Sequence, residues 1–285
     1  MAILTLTTDF GLKDHYVAAV KGAVFSQLPD VTIVDISHQV MPFNVREAAF
    51  HVKNVYKYFP KGTVHLIGVR AELSDEAPHR LVLFDGHYFV AADTGVFRLM
   101  FNREPDAVYD LNLPSDSDVL TFPVLHVFVK AVCHILRGGT PEVIGKKTKE
   151  LTNVLIGAAM ETGDSIRGHV VHIDHYDNLM TDIHQNLFRE VGLGRPCNIH
   201  LRTKRKDIKR ISQRYGDVSP GSLLALFNTE GYLEIAVNGG APGVGGGAAQ
   251  LLGLKNDDII LIVFETPENQ RETRDGSVRL NTELL

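Results

Sequence analysis

The stretch ILTLTTDFGLKDHYVAAVKGAVFSQLPDVTIVDIS, residues 3–37, sets the fold of the first half of the chain. Residues 3–8 are apolar or β-branched and read as a strand. Residues 16–27 (YVAAVKGAVFSQ) carry helical spacing, with Asp14 available as a cap. Residues 31–36 (VTIVDI) read as a second strand. Strand, helix and strand in that order predict a βαβ unit, whose strands run parallel. Working outward, residues 45–58 read as a helix. Residues 64–69 are apolar throughout, as buried parallel strands are. Shorter strands are predicted at 81–84 and 88–91. A strong helix is predicted at 124–137 and stopped by Gly138-Gly139. The expected class is an α/β N-terminal domain with a mainly parallel sheet between helices.

After Lys149 the texture changes. Short strands at 165–174, 223–227, 233–237 and 258–264 are separated by turns, with brief helical pieces at 185–191 and 248–252. A smaller β-rich C-terminal domain is expected. The predicted organisation is residues 1–150 for the α/β domain, 151–164 for a linker, 165–266 for the β-rich domain and 267–285 for a polar tail.

The chain has 285 residues, 44% hydrophobic and 22% charged, enough for two cores. Its formal net charge of −5 argues against broad binding to nucleic acid or anionic membrane. One basic cluster, residues 202–210 (RTKRKDIKR), is either a solvated face or a patch for an anionic ligand. Cys133 and Cys197 form no CxxC pair, and low cysteine use suits a reducing compartment. No leader or membrane span is read, so a cytoplasmic protein is expected.

Several residues could carry chemistry. Asp9 lies where a parallel strand delivers ligand-binding groups, past its carboxyl end, and could hold a ribose diol or simply form a turn. Asp35 lies inside the second strand, with Ser37 and His38 just beyond; a turn or supporting role is favoured for them. The 13 histidines invite a metal reading, and His172 and Asp174 share a strand face, but no HExxH or Cys/His cluster supports it, and no metal is expected. The segment VNGGAPGVGGGAAQLLGL (residues 237–254) contains the dinucleotide template G-x-G-x-x-A at 243–248. That template should open a βαβ unit with an acidic residue further on, whereas this one sits in the β-rich half near the polar tail.

Six motifs, taken in order, resemble one family. They are TTDFGLKD (7–14) leading to Val20-Lys21-Gly22; VDISH (34–38); GTVH (62–65); DGHYFV (85–90) with Asp93-Thr94-Gly95; IDHYDN (173–178) with Thr181; and NTEGYLEIAVN (228–238). The pattern is similar to the S-adenosyl-L-methionine (SAM) hydroxide adenosyltransferases, or SAM hydrolases, and to the related SAM-dependent chlorinases and fluorinases. The resemblance implies attack at the ribose 5′ carbon with methionine leaving, giving adenosine and L-methionine. SAM is the substrate and no cofactor is needed, because the sulfonium is already an activated leaving group. It also implies a homotrimer with sites at subunit interfaces. By motif position, Asp9 would hold the ribose hydroxyls and Phe43 would wall the ribose or adenine. Asp174 would pair with the methionine ammonium and Asn178 would bond the adenine. Asn228 and Thr229 would hold the methionine end, and the backbone after Asn238 would edge the adenine.

The sequence departs from the family where water is activated. Counting back from Asp85-Gly86, Arg70 stands at the family's Asp position, Ala77 at its Arg position, and Pro123 follows Thr121-Phe122 where the family has His. Glu72, Asp75, Arg80 and His126 are the remaining candidates beside Arg70. An Arg about 5 Å from a sulfonium, at an effective dielectric of 20, would cost about 3 kcal/mol. The alternatives are therefore a non-catalytic SAM or adenosine binder, or a halide-using SAM transferase. Asp177 and Asp182 replace the family's usual Gly and Asn. The glycine segment 239–247 is longer than the family's and is expected to form a wall or lid over the nucleoside end.

Overall fold

The computed structural model describes residues 2–113, 121–154, 157–201 and 207–266. The expected polar tail (267–285), most of the basic cluster (202–206) and part of the expected linker (155–156) lie outside the described residues. The chain divides into two compact units, residues 1–156 and 157–285.

The first unit opens with β1 (Ile3–Thr8), α1 (Tyr16–Gln27), β2 (Thr32–Ser37) and α2 (Val45–Val55). Helix α1 starts after His15 with no side-chain cap, so Asp14 does not cap it. Asn44 does cap α2, accepting the Glu47 N–H at 3.1 Å. Next come β3 (Val64–Gly68), β4 (His79–Phe84), β5 (His87–Ala92), α3 (Val96–Met100) and β6 (Ala107–Leu111). The predicted helix at 124–137 opens as a π-helical turn, Val124–Phe128, and continues as α4 (Val129–Leu136). The unit closes with α5 (Pro141–Ile144) and β7 (Gly145–Thr148).

These strands form one sheet in the order β2-β1-β3-β5-β4-β6-β7. The pairs β1–β2, β1–β3 and β3–β5 are parallel, whereas β4–β5, β4–β6 and β6–β7 are antiparallel. The sheet is thus mixed rather than mainly parallel. The reason is local: Asp85 and Gly86 both have positive φ (49° and 73°), which makes a tight reversal between β4 and β5 with no crossover helix. One face packs Leu4, Leu6, Val64 and Leu66 with Val20 and Val24 of α1 and Val132 of α4. The other packs Ile67, Val82 and Phe89 with Ala48 and Val52 of α2 and Phe97 of α3. Helices therefore cover both faces, as the near-continuous apolar strands require.

The second unit contains β8 (Met160–Thr162), β9 (Ser165–Ile173), β10 (Leu179–His184), α6 (Gln185–Gly192), β11 (Cys197–His200), β12 (Ile211–Ser212), β13 (Leu223–Phe227), β14 (Tyr232–Val237), α7 (Ala248–Leu252) and β15 (Ile259–Phe264). The strand order is β11-β15-β9-β10-β14-β13-β12, with β8 paired to β9. Only β12–β13 is parallel among these pairings. The core gathers Ile166, Leu179, Ile183, Leu233, Ile235, Leu252, Ile260 and Phe264.

Candidate functional site

In the first unit, three loops follow the carboxyl ends of the adjacent strands β2, β1 and β3, where open α/β sheets bind ligands. Asp9 leaves β1, and its Oδ2 accepts the main-chain N–H of Phe43 at 2.8 Å. The fold thus brings together two residues to which the family resemblance gives nucleoside-binding roles. Phe43 has φ 64° and an exposed ring (72%), a costly arrangement for a bulky residue. The turn that carries it is held on both sides. Asn44 N–H donates to Met41 O at 2.9 Å, and Met41 N–H donates to Glu47 Oε2 at 3.0 Å. A strained, exposed aromatic fixed beside a carboxylate is suited to stacking on a ligand ring while the carboxylate accepts from hydroxyls.

The expected water-activating candidates are distributed differently. Arg70 follows β3 with φ 47° and an exposed side chain. Glu72 and Asp75 are exposed in the loop before β4. Arg80 is buried (5% exposed) in β4, with Nη1 3.0 Å from Asp93 Oδ2 and Nε 2.9 Å from Asp110 Oδ1. Asp93 also accepts the Thr152 N–H at 2.7 Å, so this cluster ties the end of the unit to its sheet. Its neighbour His79 donates toward Ala71 O at 2.9 Å and packs edge-on against Phe128. His126 is half-buried in the π-helical turn, its ring edge-on to Phe122.

In the second unit, Asp174 directly follows β9 and organises a tight turn. Its Oδ1 accepts the N–H groups of Tyr176 (2.9 Å) and Asn178 (2.8 Å), and its Oδ2 accepts from Asn178 Nδ2 at 3.1 Å. The two predicted residues of this motif are therefore bonded to each other. Asn228 shapes the β13–β14 turn, its Oδ1 accepting from the N–H of Glu230 (3.2 Å) and Tyr232 (3.0 Å). Thr229 lies within that turn. Asn238 donates its Nδ2 to Val218 O at 2.7 Å, so its side chain is engaged in the fold and only the backbone beyond it is left for a ligand.

Glu234 is the residue the sequence reading missed. It is 2% exposed on β14 and accepts the Tyr215 hydroxyl at 2.7 Å. Burial raises its carboxyl above the usual range, and the charge of Asp174 adds to that, against hydrogen bonds from Tyr215 and Asn228 that lower it. The Tyr215 hydroxyl is itself pushed up, by burial first and by Glu234 second. Asp174, Asn228 and Glu234 thus share one neighbourhood that favours a cationic group. The available signal was a lone acidic residue inside the apolar run Leu233-Glu234-Ile235.

The glycine segment lies against the Asp174 turn. Ala241 and Val244 exchange main-chain hydrogen bonds (3.3 and 2.9 Å), and Gly239, Gly243, Gly245 and Gly246 all adopt positive φ. A Cβ on Gly247 would stand 2.3 Å from Asp177 Cβ and 2.4 Å from Tyr176 O, so only glycine allows the approach. The loop joins β14 to the short helix α7 and then to β15, which pairs antiparallel with its neighbours. It does not open a βαβ unit, and a dinucleotide fingerprint is ruled out on topology.

Comparison with known proteins places this architecture. The family model described as the SAM hydroxide adenosyltransferase N-terminal domain matches residues 4–145, and that of the C-terminal domain matches residues 168–261. The chain belongs to the SAM hydroxide adenosyltransferase family. Among its relatives, the (R)-S-adenosyl-L-methionine hydrolase of Thermus thermophilus is 29% identical over 260 residues, covering 87% of this chain and 94% of that protein. The hydrolase of the same name from Methanocaldococcus jannaschii is 28% identical, covering 82% and 88%. A fluorinase from Actinopolyspora mzabensis is 25% identical, covering 83% and 90%. An uncharacterized conserved protein from Thermotoga maritima has a similar crystal structure, with a TM-score of 0.82, 27% identity and coverage of 92% and 99%.

Proposed function

We propose that this protein cleaves SAM at the ribose 5′ carbon with water, giving adenosine and L-methionine. The observation that carries the reading is the Asp9–Phe43 hydrogen bond, which sets a carboxylate and an exposed ring side by side at the strand ends of a family fold. Relatives named SAM hydrolase, matched over most of their length, support it. Asp9 would accept from the ribose hydroxyls and Phe43 would stack on the nucleoside. Asp174 and Asn228 would hold the methionine end, with Glu234 adding negative potential for the ammonium and sulfonium. Asn178 and the backbone beyond Asn238 would bound the adenine. Displacement of a neutral thioether needs alignment of the nucleophile and exclusion of bulk water, so positioning supplies most of the rate.

The site would use SAM alone, without a metal or cofactor. The residues proposed for it fall into two sets, one in each unit, and a homotrimer is the assembly the family resemblance implies. A cytoplasmic location fits the reading, and no helix among the described residues is long and apolar enough to cross a membrane. Incubation with SAM followed by chromatography is expected to give adenosine and methionine in equal amounts. No product above the enzyme-free blank would sink the hydrolytic reading.

A second reading is favoured by Arg70, the cation at the family's Asp position, and by Arg80, held by Asp93 and Asp110. It is a SAM or adenosine binder without turnover, or a transferase in which Arg70 attracts an anionic nucleophile such as halide. Adding chloride or bromide and looking for a 5′-halogenated nucleoside separates the two.

A further inference from the structure

The first unit holds a chain of four side chains that the substrate reading does not use. Thr8 Oγ1 lies 2.8 Å from His38 Nδ1, and both residues are buried. His38 Nε2 lies 3.0 Å from Asp35 Oδ1, off the ideal hydrogen-bond line. Lys21 Nζ donates to Asp35 Oδ2 at 2.6 Å. Burial works to raise the Asp35 carboxyl, but the Lys21 and His38 bonds outweigh it and hold it below the usual range. An ionised Asp35 favours the tautomer with its proton on Nε2. Nδ1 then carries the lone pair, and the Thr8 hydroxyl donates to it.

The backbone of His38 makes a second link. Its carbonyl accepts the N–H of Gly11 at 2.7 Å, where the chain has φ 68°. His38 therefore grips the chain at Thr8 through its ring and at Gly11 through its main chain, and Asp9 lies between those two points. Asp9 in turn holds Phe43. Both anchors of the buried histidine thus flank Asp9, the carboxylate that leaves β1 directly.

We propose that His38 is the positioning residue of the ribose-binding pair: its ring, set by Asp35 and Lys21, and its carbonyl fix the turn that aims Asp9 and Phe43. This rests on the reading of Asp9 as the ribose ligand, and it is tested with an observable that needs no ligand.

In the full-length protein, His38→Ala removes the ring. His38→Asn keeps a polar atom near the place of Nδ1, able to bond Thr8. Hydrogen–deuterium exchange over residues 9–14 and calorimetric titration with adenosine are compared for both and for Asp35→Asn. Loss of one net hydrogen bond corresponds to about a tenfold change in either quantity. His38→Ala is expected to exchange faster and bind adenosine more weakly by that factor, with His38→Asn restoring both. Should His38→Ala fail to fold, Asp35→Asn is expected to shift both quantities in the same direction by a smaller factor. Unchanged exchange at residues 9–14 overturns the proposal, as does faster exchange with unaltered adenosine affinity. Absence of rescue by asparagine overturns the Thr8 link. If the wild type itself binds no adenosine, the ribose reading falls by itself, and the exchange of residues 9–14 still decides whether His38 holds the Asp9 turn.

Discussion

Asp177 accepts the main-chain N–H of Gln250 through its side chain at 2.9 Å, and its carbonyl accepts that of Ala249, also at 2.9 Å. One residue in the Asp174 turn thereby satisfies two of the free N–H groups at the start of α7. It does so with φ 67°, a conformation the family's usual glycine would adopt without strain. The aspartate thus exchanges backbone ease for a clamp on the start of α7, the helix into which the glycine segment leads.

Replacing Asp177 separates these two effects. Asp177→Ala loses the carboxylate and keeps the strain, so it is expected to destabilise the second unit by about 1–2 kcal/mol. Asp177→Gly loses the carboxylate but relieves the strain, and should cost about 1 kcal/mol less. Urea denaturation gives the order. An alanine variant as stable as wild type would show that the clamp contributes nothing.

Gly247 tests the approach itself. Alanine there must displace the Tyr176-Asp177 backbone, at about 1–3 kcal/mol for overpacking. Alanine at Gly243 meets open space and carries only the positive-φ cost, about 1 kcal/mol. The expected result is a lower melting temperature and a raised KM for SAM in Gly247→Ala, with Gly243→Ala less affected in both.

Arg70 bears on turnover. If it stands near the sulfonium, Arg70→Asp removes a repulsion of about 3 kcal/mol and restores the family's residue, which tolerates positive φ. Adenosine formation should rise by about tenfold or more, with Arg70→Ala intermediate. Equal rates in all three proteins would place Arg70 away from the reacting centre.

His65 makes the first unit acid-sensitive. It is fully buried between Thr5 Oγ1 (2.7 Å) and His87 Nδ1 (3.3 Å) and stacks on Phe89. Burial first, and His87 second, lower it from 6.5 to about 3. The unfolded chain therefore binds a proton that the folded one refuses between pH 6.5 and 3. The neutral ring costs nothing above pH 6.5, and stability falls as pH drops below it. From neutral pH to pH 5 the loss from this group is about 2 kcal/mol. His65→Gln should flatten the dependence of urea midpoint on pH over that range, and an unchanged slope would reassign the acid sensitivity.

Much of the architecture was legible because it is local. The βαβ opening and the apolar β3 follow from periodicity within a dozen residues, whereas the cap of α2 at Asn44 emerges only in the structure. The strand β10 was not read because Thr181 points inward, with its hydroxyl bonded to Leu233 O, and breaks the apolar alternation of Leu179 and Ile183. The mixed character of the sheet comes from the Asp85-Gly86 reversal, a two-residue turn that the surrounding βαβ rhythm masks in the sequence. The motif order placed Asp9, Phe43, Asp174 and Asn178 as candidates, but nothing local told which would touch.

By itself the sequence determined the βαβ opening and the longer elements, the two-part division of texture and the family. The tertiary structure alone decided the partners: Phe43 on Asp9, Arg80 between Asp93 and Asp110, Glu234 beside Asp174 and Asn228, and Asp177 on the start of α7. Helix and strand signals repeat every few residues along the chain, so they are readable in one dimension. Ion pairs and caps between residues tens of positions apart depend on strand order and register, which no short window contains.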